Sequence, residues 1–126
     1  MPTLVPHPDG QARPYAAAAV FHQTIWACGQ VPRSSDGSTP KDIRDQVRLT
    51  LDNLDTVLAA AGGSLATLLK VTVYLSDLTE FDRYNTAYLE RLADVPLPPR
   101  TTVQVAGFRG DKRIEIDAVA AVSPSS

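Results

Sequence analysis

The sequence predicts an α+β fold in which two helices pack on one face of a mixed β-sheet. Stretches with an apolar residue at every second position, typical of strands, alternate with two stretches whose apolar residues recur every three or four positions, typical of helices. The predicted order is β-β-α-β-α-β-β, which favours helices layered on one side of a sheet. The 126 residues predict one domain over residues 1–126.

The chain is predicted to begin with an irregular arm and a hairpin. Residues 1–12 contain three prolines and predict an N-terminal arm without regular structure. Alternating residues over 15–21 and 24–31 predict two strands, and His22-Gln23 predicts the short turn that joins them.

The first helix is predicted to follow a loop over residues 32–40. Thr39 is a suitable N-cap, Pro40 fits the first helical position because its missing N–H is not needed there, and Asp42 fits the third. One apolar stripe runs along the helix through Ile43, Val47, Leu51, Leu54 and Leu58. Gly62-Gly63 predicts its end.

The second half repeats the alternation. Residues 68–76 form the strongest predicted strand, with Leu69, Val71, Val73 and Leu75 on one face and Lys70, Thr72, Tyr74 and Ser76 on the other. A second helix is predicted from an N-cap at Thr79, and its inward residues are Phe81, Tyr84, Tyr88 and Leu92. Prolines over 96–99 end it, and residues 123–126 form a tail that is expected to fray.

The two final predicted strands, residues 99–105 and 113–119, carry the residues with the clearest chemistry. Alternation places Arg100, Thr102 and Gln104 on one face, and Glu115 and Asp117 opposite two isoleucines. A guanidinium offers a planar pair of donors to a carboxylate, and a glutamate can orient and deprotonate water. Taken as neighbours, Arg100 and Glu115 indicate chemistry on a small carboxylic acid. A pair of solvent-facing residues, or a surface ion pair, explains the same pattern without a function.

The face of the sheet away from the helices is predicted to be polar and amphipathic. We place on it Lys70, Thr72, Tyr74, Thr102, Gln104 and Glu115. A face of this composition is either wet or paired with another subunit, and its threonine, valine and tyrosine content favours pairing.

Composition and charge argue against several functional classes. The formal net charge is −2 without runs of like charge, whereas a dedicated nucleic-acid surface needs clustered lysine and arginine. The single cysteine, Cys28, rules out an intramolecular disulfide. The N-terminus lacks a signal-peptide pattern, and no apolar run approaches the roughly 20 residues needed to span a bilayer, so the cytoplasm is the expected location.

Other catalytic constellations fit the sequence poorly. His7 lies in the arm and His22 in the hairpin turn, which disfavours a Ser-His-Asp triad. His22 and Cys28 alone make a poor metal site, so we expect no metal. Cys28 in an apolar strand is more typical of a small core residue than of a nucleophile. Taken alone, Asn85 is compatible with a solvent-facing helix residue and Tyr15 with packing.

Six segments in order resemble the RidA/YjgF family (reactive intermediate/imine deaminase A, also labelled endoribonuclease L-PSP). The resemblance extends from Arg13 to Ala121. The segments are Cys28-Gly29-Gln30-Val31-Pro32, Leu51-Asp52-Asn53-Leu54 with Ala59-Ala60-Ala61-Gly62, Val71-Thr72-Val73-Tyr74-Leu75-Ser76-Asp77-Leu78, Asn85-Thr86-Ala87-Tyr88, Pro99-Arg100-Thr101-Thr102-Val103 and Ile114-Glu115-Ile116-Asp117-Ala118-Val119-Ala120.

The resemblance implies a fold, an assembly and a reaction. The fold is chorismate-mutase-like, and the assembly is a homotrimer with active sites in clefts between neighbouring subunits. The reaction is the hydrolysis of short-lived enamine or imine acids, such as 2-aminoacrylate, to 2-oxo acids and ammonia. Pyridoxal-phosphate enzymes release these intermediates, so a functional link to them is implied, and no cofactor is required.

The resemblance also assigns site residues. Arg100 matches the carboxylate-binding arginine and Glu115 the water-orienting glutamate. The pocket residues fall on Tyr15, Asn85, Cys28 and Gly29. Two positions depart from common patterns: Cys28 stands where archetypal members have serine, and Thr102 where many have cysteine. Both line the pocket, so they bear on substrate preference more than on reaction type.

Two other functions remain open. The chain could be a trimer that binds small carboxylates or amino acids without turnover. It could also be an endoribonuclease, as the family's older label says. Acid–base cleavage of RNA usually needs a histidine or lysine near the 2′-hydroxyl and a basic track for phosphates, and the sequence shows neither, so nucleic acid is not an expected partner.

Overall fold

The computed structural model describes residues 1–124, so the predicted tail lies partly outside the described residues, at 125 and 126. Within 1–124 the elements are β1 (Thr3–Val5), β2 (Ala18–Phe21), β3 (Thr24–Gln30), α1 (Ile43–Ala60), β4 (Leu68–Leu75), α2 (Phe81–Arg91), β5 (Arg100–Gln104) and β6 (Ile114–Ala121). Single 3-10 turns, Leu65–Thr67 and Leu78–Glu80, precede β4 and α2. None of these helices is long and apolar enough to cross a membrane.

The strands form one mixed sheet in the order β1-β2-β3-β6-β4-β5. The β4–β5 pair is parallel and the other pairs are antiparallel. The predicted α+β class and the order of the seven predicted elements are confirmed, and one further strand, β1, precedes them. The arm was predicted to be irregular, which is wrong for Thr3–Val5, because these residues pair with β2. The strand fits between Pro2 and Pro6, which flank it and do not have to donate N–H groups to the ladder.

The hairpin between β2 and β3 turns at the predicted residues. His22 and Gln23 both have positive φ angles, 50° and 68°. Two such residues make the tight turn whose twist matches antiparallel strands. The predicted hairpin is therefore confirmed.

Both helices pack on the same face of the sheet, and α1 buries the predicted apolar stripe. Its predicted N-terminus is wrong: the N-cap is Asp42, not Thr39, and its carboxylate accepts a hydrogen bond from the Arg44 N–H at 2.8 Å. The predicted cap of α2 at Thr79 is also wrong. Asp77 caps the 3-10 turn by accepting from the Thr79 N–H at 2.9 Å, and α2 begins after that turn.

The register of β4 decides which side chains face the helices. Val71, Val73 and Leu75 are fully buried beneath them, and across the parallel pair they lie beside Arg100, Thr102 and Gln104. We predicted Thr102 and Gln104 on the open face, and this is wrong because partners in register share a face. Leu69, predicted to face inward, is 49% exposed because the register of β4 against β6 shifts between Leu68 and Lys70.

The face of the sheet away from the helices is uncovered and partly apolar; we call it the open face. Register places Thr72 and Tyr74 on it beside Asp117 and Glu115. Its large exposed apolar side chains are Leu4, Phe21, Trp26 and Val103.

Gln46 on α1 holds the start of β6 in place. Its fully buried amide donates to the carbonyls of Pro40 and Asp111, at 2.8 and 3.0 Å, and accepts from the Arg113 N–H at 2.9 Å. Three backbone groups of two loops therefore depend on one side chain. Because Arg113 directly precedes β6, this amide also fixes where Glu115 lies.

We expect Gln46→Met to lower the free energy of unfolding by about 2–4 kcal/mol, because it keeps size and helix propensity but leaves buried backbone groups unpaired. Urea denaturation followed by circular dichroism measures the change. The control is Thr56→Val on the same helix, whose exposed hydroxyl bonds only the preceding turn. A decrease of less than about 0.5 kcal/mol in the free energy of unfolding of Gln46→Met would contradict the role of Gln46 in holding the start of β6.

Candidate active site

Arg100 lies on the helix face of the edge strand β5, among aromatic side chains of α2. Its guanidinium carbon is 4.6 Å from the ring centroid of Tyr88, 5.2 Å from that of Tyr84 and 5.8 Å from that of Phe81. Aromatic faces attract a cation, so this surface stabilises the charge without neutralising it. Asn85 Oδ1 accepts a hydrogen bond from Arg100 Nη1 at 2.9 Å. Within residues 1–124 the other guanidinium N–H groups have no acceptor.

Asn85, Thr102 and Arg100 are therefore brought together, as the resemblance implied. Thr102 follows Arg100 by two positions on the same face, and its hydroxyl lies 2.7 Å from that of Tyr84. The bland alternative for Asn85, a solvent-facing helix residue, is wrong because the residue is half-buried against Arg100.

Sequence reasoning treated three residues of this cluster as core only. Phe81, Tyr84 and Tyr88 were predicted to be inward, but their contact with Arg100 was not. With Asn85 they occupy positions i, i+3, i+4 and i+7 of α2, which form one helix face. That shared spacing could have indicated one surface against the arginine.

The two tyrosines remain neutral at physiological pH. Burial raises the pKa of Tyr84, and it raises the pKa of Tyr88 to about 12. The Tyr88 hydroxyl is buried and has no hydrogen-bond partner within residues 1–124. The charge of Arg100 opposes both shifts, but burial outweighs it.

Glu115 lies on the open face, directly against the backbone of Gly29. A β-carbon added at Gly29 would come within 2.8 Å of the Glu115 carboxyl carbon, which is closer than such contacts occur. Gly29 lies in a bulge where the register of β3 against β6 shifts between Ala27 and Gln30. The bulge and the missing side chain together make room for the carboxylate.

Burial, and after it the negative charge of Asp117, raises the pKa of Glu115. Asp117 is itself tied to β4, because its Oδ2 accepts a hydrogen bond from the Tyr74 hydroxyl at 2.9 Å. Glu115 and Asp117 are thus two carboxylates on one face with no cation bonded to either within residues 1–124. A carboxylate of this kind holds a proton more readily than an ordinary glutamate does.

The remaining predicted residues line a cleft of about 480 Å³ between the N-terminal arm, β3 and α1. Tyr15, Cys28 and Gly29 contribute to it, together with Arg13, which sequence reasoning did not single out. Tyr15 is 56% exposed, but its ring packs edge-on against that of His7, with the ring centroids 5.4 Å apart, so the packing alternative holds for part of the ring. Burial raises the pKa of the Cys28 thiol, which disfavours its thiolate form and agrees with the expectation that it is not a nucleophile.

Within one chain, Arg100 and Glu115 therefore lie on opposite faces of the sheet, and the predicted residues divide into two groups around them. Arg100, Asn85 and Thr102 form the first, which we call the arginine half-site. The second, which we call the glutamate half-site, contains Glu115 and Gly29, which lie against each other, and Cys28 and Tyr15, which line the cleft beside Gly29. The expectation that Arg100 and Glu115 lie on neighbouring strands is wrong, because β4 lies between β5 and β6.

We expect Glu115→Gln to stabilise the protein at neutral pH. A raised folded-state pKa means that ionisation of Glu115 destabilises the fold as pH rises from the ordinary glutamate value, about 4.3, through the raised one. The gain in melting temperature should disappear below about pH 4, where wild type is protonated. Thermal unfolding from pH 3.5 to 8 tests this, with the exposed Glu90→Gln as control. Equal melting temperatures at pH 7 would contradict it.

Comparisons with known proteins show the family to which the chain belongs. The family model described as endoribonuclease L-PSP matches residues 8–122. The putative reactive intermediate deaminase TdcF of Escherichia coli is 33% identical over 114 residues, 88% of each chain. The 2-iminobutanoate/2-iminopropanoate deaminase of the same organism is 33% identical over 110 residues, 85% of this chain and 86% of the relative.

The fold agrees as well. The crystal structure of E. coli TdcF with bound serine superposes with a TM-score of 0.87 at 31% identity, covering 96% of this chain and 99% of that one. The structure of the E. coli YjgF gene product gives a TM-score of 0.82 at 32% identity, covering 93% and 92%. The chain belongs to the RidA/YjgF family.

Proposed function

We propose that this protein hydrolyses reactive 2-imino acids, of the 2-aminoacrylate type, to 2-oxo acids and ammonia. The observation that carries the proposal is the arginine half-site, where a half-buried guanidinium is held by Asn85 and has N–H groups left for a carboxylate. Two relatives named as deaminases support the same reaction class. Pyridoxal-phosphate enzymes, which release such imines, are the proposed source of substrate.

In the proposed mechanism, the protein mainly positions the imine and the water, because the imine is already reactive. Arg100 binds the substrate carboxylate through two parallel N–H···O hydrogen bonds, which fixes the position of the imine carbon. The protonated imine is already electrophilic, so water adds to that carbon without a cofactor, a metal or a covalent nucleophile. Glu115 orients the water, accepts its proton as the C–O bond forms, and returns the proton to nitrogen. The C–N bond then breaks, ammonia leaves, and loss of the hydroxyl proton gives the 2-oxo acid.

The proposed active unit is a homotrimer with sites between subunits. One chain cannot place Arg100 and Glu115 around one small substrate, because they lie on opposite faces with β4 between them. A second copy that contributes the other half-site removes this obstacle. The exposed apolar side chains of the open face, Trp26 among them, favour the burial of that face in an assembly.

A binding function without turnover is the second candidate. The crystal structure of TdcF contains bound serine, a small amino acid that is not an imine. A purely binding protein would use the arginine half-site and would not depend on the Glu115 carboxylate. The endoribonuclease alternative is supported by the description of the family model and by the titles of two similar structures, whereas the formal net charge of this chain is −2.

Arg100→Lys and Arg100→Ala should each lower kcat/KM for imine hydrolysis by at least about a hundred-fold, because lysine keeps the charge but loses the planar pair of donors. An amino acid dehydratase generates the imine, and 2-oxo acid formation is followed with and without the protein. The control is Arg83→Lys, an exposed arginine of α2 on a different helix face. A near-normal kcat/KM for Arg100→Lys would contradict the proposed pair of hydrogen bonds from Arg100 to the carboxylate.

Mixing two inactive variants tests the shared site. Glu115→Gln should still bind a 2-oxo acid but hydrolyse imine poorly, since an amide cannot accept the proton. Arg100→Ala and Glu115→Gln chains, unfolded together and refolded at equal ratio, should regain about a quarter of wild-type activity, because every mixed trimer has one intact site. Light scattering should give a trimer. Activity that stays at the level of the separate variants would contradict sites between subunits, and full activity of a monomer would contradict the assembly.

A further inference from the structure

The hydroxyl groups of Tyr84 and Thr102 form a pair beside Arg100 that the mechanism above does not use. Their oxygens are 2.7 Å apart, and the ring of Tyr84 lies 5.2 Å from the guanidinium carbon. Thr102 and Arg100 extend from the same face of β5, two positions apart. The pair is therefore adjacent to the group that is proposed to bind the substrate carboxylate.

The direction of the hydrogen bond within this pair follows from burial and acidity. Tyr84 is 0% exposed, and within residues 1–124 its hydroxyl has Thr102 as its hydrogen-bond partner. A phenol is a better donor than an aliphatic alcohol, and a buried hydroxyl hydrogen without an acceptor is costly. Tyr84 therefore donates and Thr102 accepts.

This direction leaves the hydrogen of Thr102 without an acceptor within residues 1–124. Thr102 is half-buried and lies two positions from Arg100 on the same face of β5, which places its side chain beside a molecule bound at Arg100. Accepting a hydrogen bond also polarises a hydroxyl and makes it a stronger donor. A carboxylate, with about four acceptor sites, can take this hydrogen in addition to the two from a guanidinium.

We propose that Thr102 donates a third hydrogen bond to the substrate carboxylate and that Tyr84 is a positioning residue that orients the Thr102 hydroxyl. This inference rests on the proposed function, because it assumes a carboxylate at Arg100. The recognised group is a planar, ionised carboxylate next to an imine or carbonyl carbon.

Three substitutions separate the roles. Thr102→Val removes the donor at constant shape and should raise KM about ten-fold with little change in kcat, because the bond forms equally in the bound and transition states. Thr102→Ser should restore near wild-type KM. Tyr84→Phe removes one oxygen, keeps the ring against Arg100, and should raise KM about three-fold through the less well-oriented threonine. The double variant should match Thr102→Val alone.

Each variant is measured for imine hydrolysis and, by calorimetry, for the affinity of pyruvate as a stable 2-oxo acid. The control is Thr86→Val, an exposed threonine of α2 whose hydroxyl bonds only the carbonyl of Asp82. Unchanged KM and pyruvate affinity in Thr102→Val would overturn the inference. So would a loss in Tyr84→Phe that adds fully to that of Thr102→Val.

Two further outcomes keep this test separate from that of the proposed function. If wild type neither hydrolyses imines nor binds pyruvate, the proposed function fails, and the inference fails with it. If Thr102→Val folds poorly by thermal unfolding, Thr102→Ser and Tyr84→Phe decide: a higher KM in Tyr84→Phe with normal KM in Thr102→Ser supports the inference. If Thr102→Ser, Tyr84→Phe and wild type all have the same KM, the inference is overturned.

Discussion

The pairing of β4 with β5 on one side and β6 on the other is the constraint on which the site depends. Val71 lies beside Arg100 across the parallel pair, and Tyr74 lies beside Glu115 across the antiparallel pair. Because side chains alternate along a strand, these two registers place the arginine under the helices and the glutamate on the open face. A shift of β5 or β6 by one residue against β4 would move Arg100 or Glu115 to the other face and would turn the core residues of the shifted strand, such as Ile114 and Ile116 of β6, away from the helices. Packing of the core and separation of the half-sites therefore have the same cause.

Two half-buried arginines show why only one of them is suited to a ligand. Arg113 donates to Glu80 at 2.9 Å and to the Lys41 carbonyl at 2.9 Å, so it is held by anionic and carbonyl oxygens. Arg100 instead has aromatic rings and one amide oxygen. A salt bridge would have to be broken before Arg113 could bind a carboxylate, whereas rings leave a charge available. The surroundings of Arg100 therefore favour binding and those of Arg113 favour stability.

The sequence was informative where local pattern determines structure and less so where long-range register does. The stripe of α1, the His22-Gln23 turn and the element order follow from periodicity, and the structure has them. The face of Thr102 could not be predicted, because alternation shows which residues share a face but not which face meets the helices. The position of β4 between the strands of Arg100 and Glu115 could not be predicted either, because strand order depends on long-range pairing and not on alternation within a strand. The roles of these residues came from motif resemblance, and their contacts from the fold.

The two half-sites also differ in charge, and in the proposed reaction this difference would give the substrate a direction. Within residues 1–124, no carboxylate is bonded to Arg100 of the arginine half-site, and no cation is bonded to Glu115 of the glutamate half-site or to the adjacent Asp117. A protonated 2-imino acid has a negative carboxylate at one end and a positive iminium at the other. Between the half-sites of two subunits, it would place its carboxylate at Arg100 and its iminium carbon toward Glu115. A 2-oxo acid product has no positive end, so it is attracted to the arginine and loses its attraction to the glutamate. In the proposed reaction, the same pair of charges would therefore orient the substrate and favour release of the product.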